Sequence, residues 1–331
     1  MYIVASYPFA IFLCFITMLC WGSWANTQKL AENSWRFELY YWDYVLGIVL
    51  MALLFAFTLG SFGNEGRSFI ADVKQAEIEM LGNAFLGGVI FNAANILIVA
   101  AISIAGMSVA FPIGIGLALV IGVIINYLAT PKGDPLWLFS GVALIALAIV
   151  LDALAYKKKA SQDQKVPAKG ILLAVGGGLL MALFYRFVAS SMVADFETPE
   201  AGLLTPYTAV VVFAFGVLIS NFTFNTILMK HPVEGSPVSY RQYLSGNLKE
   251  HLTGIAGGII WCIGMSFSII ASGEAGFAIS YGLGQGATLV AALWGVFIWK
   301  EFKQTKGTSG LLTKMFILFI GGIAMIIYAG L

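Results

Sequence analysis

The sequence predicts an all-α membrane protein with ten transmembrane helices, arranged as two inverted repeats of five helices each. Three observations lead to this fold. The 331 residues are 60% hydrophobic and 11% charged, with a mean hydropathy of +0.89, whereas soluble domains carry about 25% charged residues. Ten apolar runs reach the length of about 20 residues that a helix needs to cross a bilayer. One stretch of the first half also recurs in the second half, after an odd number of spans.

The repeat relates residues 87–127 to residues 257–297, which align without a gap and are identical at ten of 41 positions. Both copies open with a Gly-Gly pair and close on the pattern G-x-G-x-x-L-V. Between these, one glycine starts the second apolar run of each copy, Gly106 or Gly276. An odd number of intervening spans turns the second copy upside down in the bilayer, as in many secondary transporters. We therefore expect spans 3 and 4 to correspond to spans 8 and 9.

The ten predicted spans follow one another through short connections, and no soluble domain is inserted between them. Spans 1 to 5 form a first five-helix repeat, residues 1–156, and spans 6 to 10 form a second, residues 170–331. The basic linker between them, residues 157–169, carries five lysines. The spans are predicted at residues 8–28, 42–62, 80–104, 107–129, 136–156, 170–192, 204–229, 252–272, 277–299 and 312–329.

Positive charges near the span ends predict the orientation of the chain. The odd-numbered connections hold 14 Lys and Arg residues, and the even-numbered connections hold three. Positive residues accumulate on the cytoplasmic side of a membrane. We therefore expect a protein of the cell membrane with its odd-numbered connections in the cytoplasm and both termini on the outer side. Residues 70–78 and 240–248 lie in connections and place apolar residues on one helical face. This is typical of a short helix in the membrane interface, with a plain loop as the alternative.

Several classes of function are excluded by composition and by motifs that the sequence lacks. A net charge of +1 argues against a nucleic-acid partner, and the three cysteines have no metal-binding or redox spacing. An intramembrane enzyme would need a metal or nucleophile set within its spans. The sequence shows no such set, so neither a cofactor nor a metal is expected. A channel filter motif is also absent, so we expect a transporter and not an enzyme.

Span 1 places two tryptophans on one helical face, together with Thr17 and Gln28. Trp21 and Trp24 are suited to stack on a planar or ring-shaped solute and to donate hydrogen bonds through their indole N–H groups. An aromatic belt at the membrane interface is the alternative interpretation. Gly22, between the two rings, would let a ligand or a neighbouring helix approach closely.

Two further pairs of polar residues complete the predicted substrate-binding set. Asn92 and Asn95 lie about one turn apart in span 3, and Tyr281 and Gln285 lie one turn apart in span 9. The amides of Asn92 and Asn95 offer donors and acceptors, which suits a neutral polar solute, although such residues also hold membrane helices together. Pro and Gly residues at matching places in spans 4 and 9 predict bent or locally unwound helices that line a cavity. Close helix packing through small residues is the alternative.

Four charged residues lie in or beside the spans. Asp43 opens span 2 and is the predicted proton-coupling residue, with a helix-capping role as the alternative. Asp152 precedes the three lysines at 157–159, so we expect a structural ion pair there. Arg186 and Glu274 are predicted on the same side of the membrane, as structural or gating charges that would pair with each other.

Short motifs spread over nearly the full length of the chain carry a resemblance to a known family. They are Met1-Tyr2-Ile3-Val4, Gly22-Ser23-Trp24, Tyr41-Trp42-Asp43-Tyr44, Gly87-Gly88, Asn95, Gly106, Ser108-Val109, Val120-Ile121-Gly122, Asn126-Tyr127, Trp261, Gly264, Gly276, Gln285, Trp294-Gly295 and Glu301. In this order they resemble the ureide permease family of the drug/metabolite transporter superfamily. The resemblance implies the drug/metabolite transporter fold.

The resemblance implies a secondary active transporter that takes up a small neutral polar solute, a ureide such as allantoin or a nucleobase, in symport with protons. Sodium is the alternative coupling ion. Bacterial sugar carriers of the glucose/ribose and rhamnose type are similar, so a sugar uptake permease is the alternative function. A drug or metabolite exporter is less favoured, because span 1 lacks the acidic residue that small drug exporters carry there. The expected partners are the solute, the coupling ion and the lipid bilayer, with the protein a monomer or a homodimer.

Overall fold

A computed structural model describes residues 1–31, 35–63, 65–159, 167–233, 235–303, 305 and 307–331. Within these residues, ten helical spans are long and apolar enough to cross a membrane, as the sequence predicts. Spans 1 and 9 are interrupted, and each of the other eight is one continuous helix. The spans are, in order, Tyr7–Ser23 with Ala25–Ala31, Phe37–Phe57, Ile78–Ala105, Met107–Ala129, Pro135–Lys159, Ala168–Ser190, Pro206–Lys230, Leu248–Ala275, Phe277–Gly284 with Ala287–Leu293 and the π-helical turn Trp294–Ile298, and Ser309–Tyr328.

Equivalent glycines reverse the chain in both copies of the sequence repeat. Span 3 ends at Gly106, with φ 76° and ψ 160°, and span 8 ends at Gly276, with φ 83° and ψ 152°. A side chain would make this backbone conformation costly, so glycine is the residue that permits it. The next span begins at the following residue in both cases. The sequence repeat therefore encodes the same helix–glycine–helix reversal twice.

The Gly-Gly pairs of the two copies make equivalent contacts as well. A Cβ atom on Gly88 would collide with the carbonyl oxygen of Phe213 in span 7, and one on Gly258 would collide with the carbonyl oxygen of Tyr44 in span 2. These glycines therefore let two helix backbones touch, which is how small residues hold membrane helices together. Spans 2 and 7 occupy the same place in their halves, so the recurring contact is consistent with inverted five-helix repeats.

The two halves of the chain interlock. Span 3 packs chiefly on spans 6 and 7, and span 8 packs chiefly on spans 1 and 2, so the contacts of these central helices run mainly from one half to the other. Spans 5 and 10 also pack on each other. Of the predicted linker, residues 157–159 continue the helix of span 5 and residues 168–169 begin span 6, whereas residues 160–166 lie outside the described residues.

Spans 1 and 9 are broken where they pack against each other. Span 1 is interrupted at Trp24, and span 9 is interrupted after Gly284, at Gln285 and Gly286. A Cβ atom on Gly22 would collide with backbone and side-chain atoms of span 9, so this glycine lets the two helices pack closely, and it also lines the cavity described below. The prediction of an unwound helix is confirmed for span 9. Span 4 is not unwound and continues as one helix through Pro112.

Both connections with an apolar face contain a short helix, and the plain-loop alternative is wrong. These helices are Phe69–Gln75 and Tyr240–Leu244. The first is anchored by the buried carboxylate of Asp72, which accepts hydrogen bonds from Arg67 at 2.8 Å and from the hydroxyl of Thr205 at 2.9 Å. The salt bridge to Arg67 lies within the same connection, and the hydrogen bond from Thr205 joins this helix to the start of span 7.

Candidate functional site

A cavity of about 500 Å³ lies among spans 1, 3, 4, 5, 6, 8 and 9. It occupies the half of the molecule nearest the odd-numbered connections. Its wall includes Lys29, Ser103, Tyr156 and Trp299, which lie at or just beyond the ends of spans 1, 3, 5 and 9 on that side. Pockets for small organic ligands have volumes of about 300 to 1,000 Å³, so this cavity is large enough for a small solute.

On the opposite side of the cavity, buried hydrogen bonds join the helices. Thr17 donates to the carbonyl oxygen of Gly264 at 2.9 Å, which links span 1 to span 8. The hydroxyl of Tyr185 in span 6 lies 3.0 Å from that of Ser268, which in turn lies 3.1 Å from that of Ser280 in span 9. These side chains are all buried. The cavity is thus closed towards the even-numbered connections.

Four of the six predicted substrate-binding residues line this cavity: Trp21, Trp24, Asn95 and Gln285. The side-chain amide of Gln285 and the indole N–H of Trp24 have no hydrogen-bond partner in the described part of the chain. Asn95 donates from Nδ2 to the hydroxyl of Tyr41 at 3.1 Å, and its Oδ1 accepts no bond from a described residue. The wall therefore presents unpaired donors and acceptors.

Aromatic rings form the apolar part of the wall. Trp21 stacks on Trp261, with ring centroids 5.9 Å apart and planes inclined by 13°. The indole N–H of Trp21 donates to the carbonyl oxygen of Trp261 at 3.2 Å, which fixes the ring. The ring centroid of Phe91 lies 4.3 Å from that of Trp261, and the ring centroid of Phe184 lies 5.2 Å from that of Phe91. Such surfaces stack on planar or ring-shaped solutes.

The other two predicted binding residues lie outside the cavity wall. Asn92 is fully buried; its Oδ1 accepts from Tyr41 at 2.9 Å and its Nδ2 donates to Ser220 of span 7 at 2.9 Å. Tyr281 is also fully buried, and its hydroxyl donates to the carbonyl oxygens of Ala118 and Met181 at 3.2 and 3.1 Å. Both side chains form their hydrogen bonds with neighbouring helices. They therefore hold helices together, which is the alternative to substrate binding.

Asp43 does not cap span 2, because the helix begins six residues earlier, at Phe37. Its buried carboxylate instead accepts three hydrogen bonds, which come from different elements. The indole of Trp35 donates at 3.0 Å and the hydroxyl of Tyr243 at 2.8 Å, and Nδ1 of His251 lies 2.8 Å away. Burial, together with the hydrogen bond to this carboxylate, raises the pKa of the Tyr243 hydroxyl. His251 belongs to the first turn of span 8, which begins at Leu248, four residues before its predicted start at residue 252.

Glu301 anchors a charged network at the mouth of the cavity. Its carboxylate accepts from Lys29 at 2.9 Å, from Lys159 at 3.2 Å and from the hydroxyl of Tyr156 at 3.2 Å. Burial raises the pKa of Glu301, but the hydrogen bonds and charges of the two lysines outweigh it, and the pKa lies below its ordinary value. Sequence reasoning placed Glu301 only in a family motif, because its partners lie on distant helices.

The ion pair expected between Asp152 and the lysines at 157–159 is absent. Lys159 pairs with Glu301, and Lys158 donates to the carbonyl oxygen of Gly307 at 3.0 Å. Asp152 instead lines the cavity with its side chain largely buried. Its Oδ1 has no hydrogen-bond partner among the described residues. The local charge pattern was misleading because the lysines extend away from the helix that carries Asp152.

The expected pairing of Arg186 with Glu274 is not formed either. Both side chains are partly buried, and neither has an ion-pair partner among the described residues. The described chain also contains no cluster of three His, Cys, Asp or Glu side chains that could hold a metal ion. The cavity wall offers aromatic faces, neutral donors and acceptors, the carboxylates of Asp152 and Glu301, and the ammonium group of Lys29.

Known proteins resemble this chain in sequence and in fold. The ureide permease family model matches residues 40–169 and 162–329. Ureide permease 1 and ureide permease 2 of Arabidopsis thaliana are each 23% identical to it, over alignments that cover 98% of both chains. Probable ureide permease A3 of Vigna unguiculata is 28% identical over 50% of this chain and 45% of its own. One solved crystal structure shares the fold, with a TM-score of 0.62 at 14% identity, covering 97% of this chain and 96% of the other. Since the family model matches most of both halves, the chain belongs to the ureide permease family.

Proposed function

We propose that the protein is a secondary active transporter for a small neutral polar solute, a ureide such as allantoin or a nucleobase. The observation that carries this proposal is the cavity wall, where the unpaired side chains of Gln285 and Trp24 stand beside the aromatic faces of Trp21 and Trp261. Ureides and nucleobases combine a ring with amide-like N–H and C=O groups, which match those faces and amides. The names of the plant relatives support the same solute class.

The position of the cavity supports transport by alternating access. The positive charges of the odd-numbered connections predict that this side is cytoplasmic, with both termini outside. On that orientation the present structure opens its cavity towards the cytoplasm, the state from which a solute taken up by the cell would be released. In transporters with inverted repeats, rocking of one repeat against the other exchanges the open and closed sides. The matching glycine contacts of the two halves support such an exchange.

Proton coupling through Asp43 is part of the proposal. The carboxylate holds together three elements on the odd-numbered side: the end of connection 1 at Trp35, the short helix at Tyr243 and span 8 at His251. A proton bound to Asp43 would neutralise the carboxylate and weaken its pairing with His251. Proton binding would thereby loosen the contacts between these elements on the side where the cavity opens. Sodium is the alternative coupling ion.

Uptake of labelled solutes into proteoliposomes tests the proposal. The panel comprises allantoin, uracil, glucose, ribose and rhamnose, each with an acid-outside pH gradient, a sodium gradient or no gradient. We expect allantoin or uracil to accumulate with the pH gradient. Accumulation of a sugar alone would support the sugar permease instead, and the absence of any uptake by protein of verified orientation and fold would contradict the proposed function.

A further inference from the structure

Asp152 differs from every other buried carboxylate that the structure describes. Four acidic side chains are buried in the described residues: Glu38, Asp43, Asp72 and Asp152. Asp152 has no basic partner. The other three each pair with a basic side chain at 2.7 or 2.8 Å, Glu38 with Arg36, Asp43 with His251 and Asp72 with Arg67.

The unpaired carboxylate is part of the cavity wall. Asp152 lies one turn before Tyr156 in span 5, and both residues line the cavity. The side chain of Asp152 is 9% exposed, and its Oδ1 is buried without a hydrogen-bond partner. An ionised carboxylate held away from water needs an opposite charge or several donors, since its desolvation is otherwise costly. The described residues supply neither, so we expect the neutralising partner to come from solution.

The charged groups around Asp152 do not neutralise it. The carboxylate of Glu301, just beyond span 9, lines the same cavity as Asp152. Lys29 and Lys159 both form salt bridges with Glu301, and Lys158 donates to the carbonyl oxygen of Gly307. The hydroxyl of Tyr156 also donates to Glu301. Two carboxylates beside one cavity repel each other when both are charged, and the lysines compensate only Glu301.

The helices packed on span 5 add no partner. Spans 4 and 10 are its main neighbours. Span 10 carries Lys314, which is exposed and pairs with no described residue. Span 4 carries Tyr127, whose hydroxyl donates to the carbonyl oxygen of Gly133 at 3.3 Å, near the other end of span 5. The cavity is therefore the side from which Asp152 is reached.

We propose that the carboxylate of Asp152 binds the proton that crosses the membrane together with the solute, an inference that rests on the proposed function. A proton from water in the cavity forms an O–H bond with one carboxylate oxygen, which turns the charged group into a neutral acid. The same bond breaks when the proton returns to water on the other side. The neutral acid also presents one O–H donor, which a carbonyl group of the solute would accept. Proton and solute would then occupy the cavity together.

Asp43 and Asp152 have different parts in this scheme. Asp43 already accepts three hydrogen bonds and does not line the cavity, so it acts on closure without meeting the solute. Asp152 lines the cavity beside the groups that the solute would contact. The two carboxylates are therefore tested by separate measurements.

The experiment compares gradient-driven accumulation with exchange in proteoliposomes, using labelled allantoin. A gradient of about one pH unit stores about 1.4 kcal/mol per proton, which corresponds to about tenfold accumulation with one proton per solute. We expect the parent to reach this accumulation and Asp152→Asn to lose it. Exchange of labelled against unlabelled allantoin at equal pH on both sides needs no net proton transfer. We expect Asp152→Asn to retain measurable exchange and to lose the dependence of exchange on pH.

Two further variants make the result decisive. Asp152→Glu keeps a carboxylate and should keep accumulation, which separates the proton role from a structural one if Asp152→Asn is poorly folded. Glu79→Gln removes an exposed carboxylate at the start of span 3, away from the cavity, and should behave like the parent.

The contrary outcomes are distinct. Tenfold accumulation by Asp152→Asn would place the proton site elsewhere, and loss of exchange in a folded Asp152→Asn would make Asp152 a solute ligand. Loss of accumulation by Asp152→Glu with its exchange intact would also overturn the proposal. Accumulation by the parent with sodium alone would remove the proton from the scheme. A parent that transports none of the panel would contradict the proposed function itself.

Discussion

Replacing Gln285 by alanine should weaken the binding of allantoin and leave the fold intact. The side chain is 8% exposed and lies at the interruption of span 9, yet its amide bonds to no described residue. The substitution therefore removes contacts with the solute and none that hold the protein together. A hydrogen bond contributes about 0.5–1.5 kcal/mol net, so one donor and one acceptor together contribute about 1–3 kcal/mol. The expected loss of affinity is about 5- to 150-fold.

The assay is the half-saturating concentration of allantoin for exchange in proteoliposomes at equal pH, with thermal unfolding in detergent as the check on stability. Asn92→Ala is the matched contrast, because this amide bonds to Tyr41 and Ser220 and lies outside the cavity wall. It should lower the free energy of unfolding by about 1–3 kcal/mol without changing the half-saturating concentration. Parental affinity in Gln285→Ala would refute the reasoning, as would weakened affinity in a fully stable Asn92→Ala.

Three further predictions concern packing, pH and coupling. Gly22→Ala should destabilise the protein by about 1–3 kcal/mol, because the new Cβ would collide with span 9. Gly116→Ala is the control and should leave stability unchanged, because no atom lies within 4 Å of its new Cβ. Thermal unfolding of both variants checks this prediction. The pKa of Glu301 is lowered in the folded protein, so its contribution to stability is present above the ordinary value of 4.5 and is lost as the pH falls through the folded pKa. The difference in unfolding temperature between the parent and Glu301→Gln should therefore shrink on acidification; a constant difference would contradict the charge network. Asp43→Asn should reduce the proton movement that accompanies allantoin in weakly buffered proteoliposomes, and unchanged proton movement would leave Asp43 with a structural role only.

The spans and their reversals were readable in the sequence because they depend on local properties. Apolar length marks a span, and a glycine between two apolar runs marks a reversal, as Gly106 and Gly276 show. Some of the cavity residues could also be predicted from the sequence, because helical spacing alone places Trp21 and Trp24 on the same face as Gln28. These signals need only the residues of one element.

The errors came from contacts between distant elements. Asn92 and Asn95 are three positions apart, so their side chains differ by about 60° around the helix axis. That angle turns Asn92 towards span 7 and leaves Asn95 at the cavity. Asp43 and His251 are 208 positions apart and meet because span 2 packs on span 8. Spacing along one helix cannot reveal which neighbour each face will meet.

The interlocking of the halves has a consequence for biosynthesis. A chain inserted from its N-terminus exposes span 3 to lipid before spans 6 and 7, its main partners, have been made. During this interval the backbone at Gly88 and the amide of Asn92 lack their partners Phe213 and Ser220. Multidomain proteins often fold one unit at a time during synthesis, but this chain must hold its first five helices in an unfinished arrangement. Its tertiary structure becomes complete only after the second half has entered the membrane.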